Sequence, residues 1–506
     1  MAVNEHIWDL IVIGGGINGA GIACDAAGRQ LSVLLCEMDD LASATSSASS
    51  KMIHGGLRYL EHFEFGLVRK ALIEREVLLA KAPHIIRPLQ FVLPHAHSVR
   101  PAWLIRLGLF FYDHLASHPR LANSQGINLR RHAAGAPLNS SLRRGFIYSD
   151  CWVDDARLVL FNAMAAAGKG ADIRTRTELI EARRADGLWR ARLRQQSSGI
   201  ETVVQGRAMV NAAGPWVESL LQEQLGLPSG QGVRLIKGSH IVVPRLSEGE
   251  HAYILQHADR RVVFVIPFEE RFSLIGTTDV VHRGKPEDAT VSADETAYLC
   301  DVVSSYFAAP VRPSDVVWSY AGVRPLFDDE AEDPSAVTRD YVLNLDQAAG
   351  EAPLLSVFGG KITTYRKLAE EALADLKPFF PAMGEPWTVA VPLPGGDLPG
   401  GDFEALVAQL AGRYPRLQRP LLRSLAARHG SLSDEVLAGS YQPSDLGIDF
   451  GAGLTAGEVD YMIEREWARS GDDVLWRRSK VGIHMSTAQR AAVADYVAGR
   501  VGIRSG

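Results

Sequence analysis

Three glycines and a carboxylate near the start of the chain have the spacing of a dinucleotide-binding turn. Gly14, Gly16 and Gly19 follow an apolar run at 9–13, and Glu37 ends the next apolar run. Glycines let the backbone approach a pyrophosphate, the helix that follows favours negative charge at its amino end, and a carboxylate about 20 residues on accepts from an adenosine ribose. The pattern predicts a bound dinucleotide and does not by itself separate NAD from FAD. Glu37 disfavours the 2′-phosphate of NADP, and the position at the start of a long chain favours FAD.

A serine-rich segment at 39–50 comes directly after this turn. Its hydroxyls and backbone N–H groups, with Thr45, Ser46, Ser50 and the adjoining Lys51, have the chemistry to line a pyrophosphate or the edge of a cofactor ring. Taken alone, such a segment is more often a solvated loop, so its assignment depends on the motifs around it.

Several segments, in order along the chain, resemble the aerobic, FAD-dependent glycerol-3-phosphate dehydrogenase family. They are ATSSASSKMIHGGLRYL at 44–60, KGSH at 237–240, IGTTD at 275–279, GVRP at 322–325, TRDY at 338–341 and FGGKITTYR at 358–366. A further segment, DDVLWRR at 472–478, is similar to the signature of that family's C-terminal domain. The resemblance covers nearly the whole chain, and the pocket motifs show no clear departure from the family pattern.

The resemblance implies a small polyol substrate that carries a phosphate dianion, sn-glycerol 3-phosphate. Arginine suits phosphate because its planar fork makes paired, charge-assisted hydrogen bonds. The cations embedded in the matching motifs are Arg58, Arg324, Arg339 and Lys361. By resemblance, Arg58, Tyr59 and Arg339 hold the phosphate. The resemblance places four other residues nearer the reacting carbon and the flavin ring: Arg324, Lys361, His240 and Thr277.

The implied reaction removes a hydride from C2 and a proton from its hydroxyl, giving dihydroxyacetone phosphate. The hydride transfer is the cofactor's chemistry, and the protein supplies orientation and charge. His240 is the natural candidate for the base, because an ordinary histidine has a pKa of about 6.5. Lys361 or Arg324 could instead stabilise the developing alkoxide, and an arginine base is chemically hard to accept. The sequence leaves the identity of the base open.

Further cofactor contacts follow from the resemblance. His54-Gly55-Gly56 and Gly359-Gly360 place glycines where the backbone must pass close to a flat ring, and a helix amino end after Gly360 would favour negative charge there. The segment NAAGPW at 211–216 is similar to the third strand-end contact with FAD in this fold. The implied contacts, besides the glycine turn, are Thr45, Ser46, Ser50, Lys51, His54, Gly55, Gly56, Ala213, Gly214, Gly359, Gly360, Lys361 and Thr363.

The elements that must position these residues follow from short apolar runs and helical spacing. Strands are predicted at 9–13, 31–36, 202–213, 240–243, 262–266, 272–276 and 354–358, and helices at 18–27, 66–82, 294–307, 364–376 and 457–469. The first strand, helix and strand form a βαβ unit, which implies a parallel sheet covered on both faces. The predicted fold is therefore α/β plus α+β: a Rossmann-like FAD-binding domain, an interleaved antiparallel-sheet substrate domain of the glutathione-reductase or D-amino-acid-oxidase type, and a C-terminal helical domain.

Domain boundaries follow from composition and from the resemblance. We expect the FAD-binding domain at 1–85, 145–230 and 335–384 and the substrate domain at 86–144 and 231–334. The proline- and glycine-rich stretch at 385–400 is the expected linker, and 401–506 is the expected helical domain.

Composition excludes several classes of protein. The 506 residues are 46% apolar and carry 53 Lys+Arg against 59 Asp+Glu, which is typical of a globular protein and argues against nucleic-acid binding. Cys24, Cys36, Cys151 and Cys300 form no CxxC pair, so neither a zinc site nor a disulfide framework is expected. No metal is therefore predicted. No secretory signal and no apolar run of about 18 residues is recognised, so no membrane span is predicted.

One amphipathic segment at 101–112 mixes Trp, Phe and Tyr with flanking arginines, as helices at membrane surfaces do. A buried core helix is the alternative. Arg130-Arg131 and Arg143-Arg144 could meet anionic lipid headgroups.

The resemblance implies that the protein is a peripheral enzyme on the cytoplasmic face of a bacterial inner membrane. It would pass electrons to ubiquinone or menaquinone, in glycerol catabolism and respiration, and form a homodimer. The rivals are a soluble glycerol-3-phosphate oxidase that uses O₂, an amino-acid oxidase on the same fold, and a flavin-bound scaffold without turnover. The four pocket cations count against the last two.

Overall fold

The computed structural model describes residues 3–96, 100–228, 232–257, 259, 261–327, 340–348 and 350–505. Its strands are β1 Val3–Ile13, β2 Val33–Cys36, β3 Met52–Ile53, β4 Ile86–His95, β5 Gln125–Asn128, β6 Arg144–Val153, β7 Asp172–Arg174, β8 Thr177–Ala185, β9 Leu188–Gln195, β10 Glu201–Asn211, β11 Val233–Pro244, β12 Ala252–Gln256, β13 Val262–Phe268, β14 Phe272–Gly276, β15 Val280–Val281, β16 Trp318–Phe327, β17 Val342–Asp346, β18 Leu354–Phe358, β19 Asp449–Gly451 and β20 Leu454–Thr455. Its α-helices are α1 Ile17–Gly28, α2 Phe65–Lys81, α3 Ala102–His114, α4 Asp155–Gly168, α5 Val217–Ser219, α6 Ala293–Tyr306, α7 Tyr365–Leu376, α8 Phe403–Arg413, α9 Arg419–His429, α10 Ser433–Val436, α11 Ala456–Arg465 and α12 Thr487–Ser505.

An eight-stranded sheet carries the predicted βαβ unit. Its main order is β17-β18-β10-β1-β2-β7, and β18, β10, β1, β2 and β7 pair in parallel. The first apolar run is buried on both faces, with Leu10, Ile11 and Val12 fully inaccessible, because helices cover one side and strands β8 and β9 pack beneath the other. The carboxyl ends of neighbouring parallel strands therefore meet at one edge, where ligands bind in open α/β sheets.

Small residues let helix α1 lie close to its neighbours. A Cβ on Gly21 would come within 2.7 Å of the Tyr365 ring, and one on Gly28 within 2.0 Å of the Trp387 ring. Alanines at 20, 23, 26 and 27 share one core with α4 and α7. This helix–sheet layer fixes where the first glycine turn points.

A ten-stranded sheet forms the second layer, in the main order β15-β11-β14-β13-β12-β4-β6-β3, with β16 also paired to β11 and β5 to β6. It is largely antiparallel, with one parallel contact between β12 and β4. Strand β11 lies between β14 and β16, so His240 is flanked by Gly276 on one side and Tyr320 on the other. Strand register thus sets the surroundings of one predicted catalytic residue.

Helices α8 to α12 form a C-terminal unit with two small apolar cores. The stretch predicted as a linker is packed: Leu393 belongs to the core beneath α1, and its N–H donates to the Lys81 carbonyl at 3.0 Å. Buried ion pairs join the unit to the rest of the chain, including Arg157–Glu466 at 2.8 Å and Arg478–Asp40 at 2.5 Å.

The fold class predicted from the sequence is confirmed: a parallel Rossmann-like sheet, a largely antiparallel second sheet and a helical C-terminal unit. The predicted helix boundaries at α1, α2, α6 and α7 agree with the structure to within one residue at every end. All four cysteines are buried thiols. None of the helices within the described ranges is long and apolar enough to cross a membrane.

Candidate active site

The glycine turn lies between β1 and α1. Gly14 has φ +111°, and a Cβ there would meet the Ala212 carbonyl oxygen at 2.4 Å. A Cβ on Gly19 would meet the Gly14 oxygen at 1.9 Å. Both positions therefore require glycine, one for the turn and one for the close packing of helix on strand.

Two polar side chains complete this turn. Glu37, at the end of β2, accepts the Gly15 N–H at 2.6 Å and the Asp39 N–H at 2.8 Å, and burial raises its pKa to about 7. Ser46 accepts the Ile17 N–H at 2.9 Å, so the serine-rich loop closes over the first turn of α1. The helix amino end, the glycines and the Glu37 carboxyl thus face one cradle.

The serine-rich loop is tied down by a buried ion pair. Lys51 is fully buried, and its Nζ donates to both carboxylate oxygens of Asp155, at 2.8 and 2.9 Å, and to the Ser47 carbonyl at 3.0 Å. Burial lowers the pKa of Lys51, against the opposing effect of Asp155. The hydroxyl of Thr45 donates to the Val323 carbonyl at 2.6 Å, which joins the loop to β16.

The two glycine pairs lie at neighbouring positions. The His54 N–H donates to the Thr363 hydroxyl at 3.3 Å, and the Gly55 N–H donates to the Tyr112 hydroxyl at 2.8 Å. Gly56 and Gly360 have φ of +76° and +103°. The segments predicted around 54–56 and 359–363 are therefore brought together by the fold.

Asn18 connects the first turn to the end of β18. Its Nδ2 donates to the Gly359 carbonyl at 3.1 Å, and a Cβ on Gly360 would lie 2.7 Å from the same Nδ2. The ends of β1, β10 and β18 therefore converge, and they bring the glycine turn, the Ala213-Gly214 segment after β10 and the Gly359-Gly360 segment to one edge of the sheet.

His240 is held between two side chains. Its Nε2 lies 2.8 Å from the Ser50 hydroxyl, and its ring stacks on Tyr320 with centroids 4.9 Å apart. No partner for its Nδ1 occurs within the described part of the chain. Burial first, and then the positive charges of Lys51 and Arg324, lower the pKa of His240 to about 3. The imidazole is therefore neutral near neutral pH.

Arg324 points toward the loop after β14. Its Nη2 donates to Asp279 Oδ1 at 2.6 Å and to the Thr278 carbonyl at 3.1 Å, while the Thr277 hydroxyl donates to the same carbonyl at 3.1 Å. A Cβ on Gly238 would crowd both Thr277 and Arg324, at 2.6 and 2.8 Å. Arg324, Thr277 and β11 therefore meet at one point.

Lys361 is the most unusual cation of the set. Its Nζ lies 4.0 Å from the centre of the Tyr59 ring and is buried, with no hydrogen-bond partner in the ranges that the structure describes. Arg58, beside Tyr59, is half-buried. Arg339 lies outside the described residues.

Comparison with known proteins gives the family. Residues 9–366 match the model of the FAD dependent oxidoreductase family, and 387–502 match the C-terminal domain of alpha-glycerophosphate oxidase. A glycerol-3-phosphate dehydrogenase of Pseudomonas aeruginosa is 55% identical over 97% of this chain and 95% of its own length. The chain belongs to the FAD-dependent glycerol-3-phosphate dehydrogenase family.

Two further proteins are similar to this chain over nearly its whole length. A D-erythritol 1-phosphate dehydrogenase of Brucella abortus is 50% identical over 96% of this chain and 97% of its own length. The crystal structure of a glycerol-3-phosphate dehydrogenase from Bacillus halodurans complexed with FAD has a TM-score of 0.79 and 26% identity, covering 98% of this chain and 91% of that one. FAD is therefore the cofactor of this dehydrogenase family member.

The residues at the sheet edge fit FAD. The Gly14–Ala212 approach leaves no room for a side chain on the turn, and the Glu37 carboxyl lies at the end of β2, where a ribose would be met. The Nζ of Lys361 and the Oδ1 of Asn18 are buried polar atoms without partners among the described residues, near the glycines that follow β18. A ligand with a negatively charged group for the ammonium and a hydrogen-bond donor for the amide oxygen would satisfy both atoms.

Several residues that shape this dehydrogenase site are absent from the sequence-based prediction. Asp155 holds Lys51 and the Ser49 hydroxyl, and Tyr320 stacks on His240. Glu295, in the capping box of α6, accepts from the Ser239 and Thr278 hydroxyls at 2.9 Å each. The residues joined by these contacts are 17 to 106 positions apart in the sequence. The local sequence pattern at Asp155 and Glu295, an acidic residue at the start of a helix, predicts helix capping and not a contact with the site.

Proposed function

We propose that this protein oxidises sn-glycerol 3-phosphate to dihydroxyacetone phosphate and passes the electrons to a membrane quinone. The observation that carries the proposal is the buried ammonium of Lys361, which lacks an acceptor among the described residues and lies beside Tyr59 and the glycines after β18. A buried, unpaired charge is costly unless a ligand of opposite sign compensates it. A phosphorylated polyol that loses a hydroxyl proton supplies such negative charge.

The proposed roles divide the cations into two sets. Arg58, Tyr59 and Arg339 hold the phosphate, where paired guanidinium hydrogen bonds suit its oxygens. Arg324, Lys361 and Thr277 face the C2 hydroxyl and favour its anionic form, since a positive charge stabilises a developing alkoxide. FAD, when bound, accepts the hydride.

His240 is the proposed acceptor of the hydroxyl proton. It is the one neutral base among the proposed catalytic residues, because burial and the nearby Lys51 and Arg324 charges lower its pKa to about 3. That low pKa makes it a weak base in isolation. The role therefore depends on Arg324 and Lys361 lowering the pKa of the bound hydroxyl toward that of the imidazole.

An exposed aromatic patch supports attachment to a membrane surface. Helix α3 exposes 68% of Trp103, together with Leu104, Leu107, Phe110 and Phe111. Phe63, 80% exposed, and Phe65 adjoin it, since the Phe65 and Phe111 rings lie 5.9 Å apart. Contiguous exposed aromatic groups are characteristic of interfacial helices.

Arginines border this aromatic patch. A groove of about 630 Å³ beside α3 is lined by Trp103, Arg106, Arg143 and Arg144. Positive charge next to an apolar face favours the anionic surface of a cytoplasmic leaflet. We propose that this face seats the protein on the bacterial inner membrane and that quinone is reached from it. The expected homodimer remains a prediction, which light scattering in detergent checks.

Substrate and acceptor are tested by two linked measurements on the FAD-loaded protein. Glycerol 3-phosphate, D-erythritol 1-phosphate and unphosphorylated glycerol are compared as reductants without oxygen, because a 50% identical relative is named for the erythritol ester. We expect glycerol 3-phosphate to give the highest kcat/KM and glycerol to give no turnover. Preference for the erythritol ester would refute the substrate assignment.

The reduced protein is then mixed with a ubiquinone analogue or with oxygen. We expect rapid reoxidation by the quinone and slow formation of hydrogen peroxide. Rapid peroxide production with no response to quinone would establish the oxidase alternative.

A further inference from the structure

Two neighbours, Ser50 and Tyr320, hold the His240 ring, and each is connected through packed or paired side chains to the C-terminal unit. Ser50 contacts its Nε2, and Tyr320 stacks on its ring at an interplanar angle of 17°. The hydroxyl of Tyr320 also donates to the Ser49 carbonyl at 2.8 Å, so the two supports are joined to each other. The position of the imidazole therefore depends on where β16 and the serine-rich loop are held.

An aromatic stack carries the first connection. Tyr320 contacts Trp318 with centroids 5.0 Å apart, and Trp318 stacks on Trp476 at 4.8 Å and 23°. Trp476 belongs to a short π-helical segment, Asp473–Arg478, in the C-terminal unit. A Cβ on Gly482 would come within 3.0 Å of the Trp476 ring, so this indole is closely packed on its own side as well.

A chain of buried charges carries the second connection. Lys480, four residues after Trp476, contacts Asp154 at 3.1 Å. The next residue, Asp155, accepts from Lys51 at 2.8 Å and from the Ser49 hydroxyl at 2.7 Å. Ser50 lies between these two anchored residues. Loss of one partner from such a buried pair strongly destabilises the folded protein. The two pairs therefore hold the serine-rich loop in one position.

We propose that the segment 476–480 of the C-terminal unit positions the His240 ring, with Trp476 and Tyr320 as positioning residues. The two routes begin only four residues apart, at Trp476 and Lys480, and both converge on one imidazole more than 230 residues earlier in the sequence. Packed side chains of this kind transmit small displacements, because well-packed interiors do not deform continuously. The role assigned to His240 rests on the proposed function.

The test replaces Trp476 in the FAD-loaded protein. Trp476→Leu removes the stack and Trp476→Phe keeps an aromatic ring, while Phe450→Leu makes a similar cavity in the same C-terminal core away from Trp318. Two quantities are measured: the rate constant for flavin reduction by glycerol 3-phosphate against its dissociation constant, and deuterium exchange at the His240 ring C2–H by mass spectrometry over a pH series. Thermal unfolding shows whether the leucine variants are equally destabilised.

We expect Trp476→Leu to slow reduction by about tenfold at nearly unchanged substrate affinity, since a misplaced catalytic group costs rate more than binding. We also expect faster exchange at His240 and a shifted pH midpoint, because its neighbours Lys51, Arg324, Ser50 and Tyr320 would no longer surround it in the same way. Trp476→Phe should restore both. Phe450→Leu should change neither.

Equal effects of Trp476→Leu and Phe450→Leu would overturn the inference, as would unchanged exchange at His240 in Trp476→Leu. If Trp476→Leu does not fold, Trp318→Leu breaks the same stack from the other side and is judged by the same criteria. Failure of glycerol 3-phosphate to reduce the wild-type protein would refute the proposed function alone, because ring exchange at His240 still decides the positioning role without any substrate.

Discussion

At the scale of single residues, the site is defined by which charges have partners and which do not. The ammonium groups of Lys51 and Lys361 are both buried, yet Lys51 is neutralised by Asp155 whereas Lys361 faces an aromatic ring. The sequence motifs predict a cofactor or substrate role for both. The structure gives Lys51 a fully paired environment, whereas the Lys361 ammonium has no acceptor among the described residues.

Replacing Lys361 tests this difference. Lys361→Met should retain FAD but slow flavin reduction by glycerol 3-phosphate roughly ten- to hundredfold, or by about 1.5–3 kcal/mol, because one charge-assisted contact to the developing alkoxide is lost. The matched control is Lys367→Met, since Lys367 is 39% exposed and pairs with Glu370 on the same helix. The rate of reduction is measured from the anaerobic change in the flavin spectrum. A normal rate of reduction in Lys361→Met would contradict the assignment.

At the scale of elements, the β1–α1 turn shows how much a local pattern can establish. A buried apolar run followed by glycines predicts the strand, the turn and the helix, because each depends on residues close in sequence. The structure adds that Ser46 caps the Ile17 N–H and lies 3.1 Å from a Cβ placed on Gly16. Space at this helix end is therefore limited by a loop 29 residues away.

Substituting Gly16 tests the role of that space. Gly16→Val should fold, since Gly16 has an extended backbone with φ −79°, but it should lose FAD because the side chain occupies the approach to the helix end. Gly168→Val, at an exposed helix end with open space around it, is the control. Flavin content after purification is the readout, and a full complement of FAD in Gly16→Val would refute the fingerprint.

Helix α3 provides a second test at this scale. Trp103→Ser combined with Phe63→Ser should reduce binding to phosphatidylethanolamine–phosphatidylglycerol vesicles by at least about tenfold, because two large aromatic groups no longer enter the interface. Tyr441→Ser with Ile448→Ser is the control, because these side chains are 61% and 55% exposed and lie in the C-terminal unit. Co-sedimentation measures binding. Equal loss in both double variants, or none in either, would argue against α3 as the membrane seat.

At the scale of the whole molecule, buried ion pairs join the C-terminal unit to the cofactor-binding sheet. Asp473 contacts Arg176 at 2.6 Å, and Arg477 and Arg478 both contact Asp40, three residues after Glu37. Burial raises the pKa of Asp473, but Arg478, Arg176 and Arg477 together lower it to about 2. Opposing arginine and histidine charges likewise overcome burial and lower the pKa of Glu458 to about 2.

These lowered pKa values predict acid sensitivity. A carboxylate with a depressed folded pKa stabilises the fold above its unfolded pKa of about 4, and this contribution disappears as the pH falls toward about 2. Asp473→Asn should therefore be less stable at neutral pH by about 2 kcal/mol and show a shallower loss of stability between these limits. Asp186→Asn, which alters an exposed pair, is the control. The free energy of unfolding, measured at a series of pH values, gives the stability at neutral pH and its dependence on pH. Parallel curves of this free energy against pH for wild type and Asp473→Asn would contradict the prediction.

The same scale shows why the sequence could predict only part of the site. The fold class, the glycine turn and the strand ends follow from contiguous patterns. The Trp318–Trp476 stack, the Lys51–Asp155 pair and the packed linker around Leu393 join residues far apart in the chain, and neither partner has a local pattern that specifies the other. Long-range pairs of this kind depend on the packing of whole layers.

Oxidation of glycerol 3-phosphate by the bound flavin is tested by titrating the purified, FAD-containing protein with glycerol 3-phosphate in the absence of oxygen while its visible spectrum is recorded. We expect stoichiometric bleaching of the flavin, with dihydroxyacetone phosphate formed in equal amount. A flavin spectrum that stays oxidised at saturating glycerol 3-phosphate would show that glycerol 3-phosphate is not the substrate of this protein.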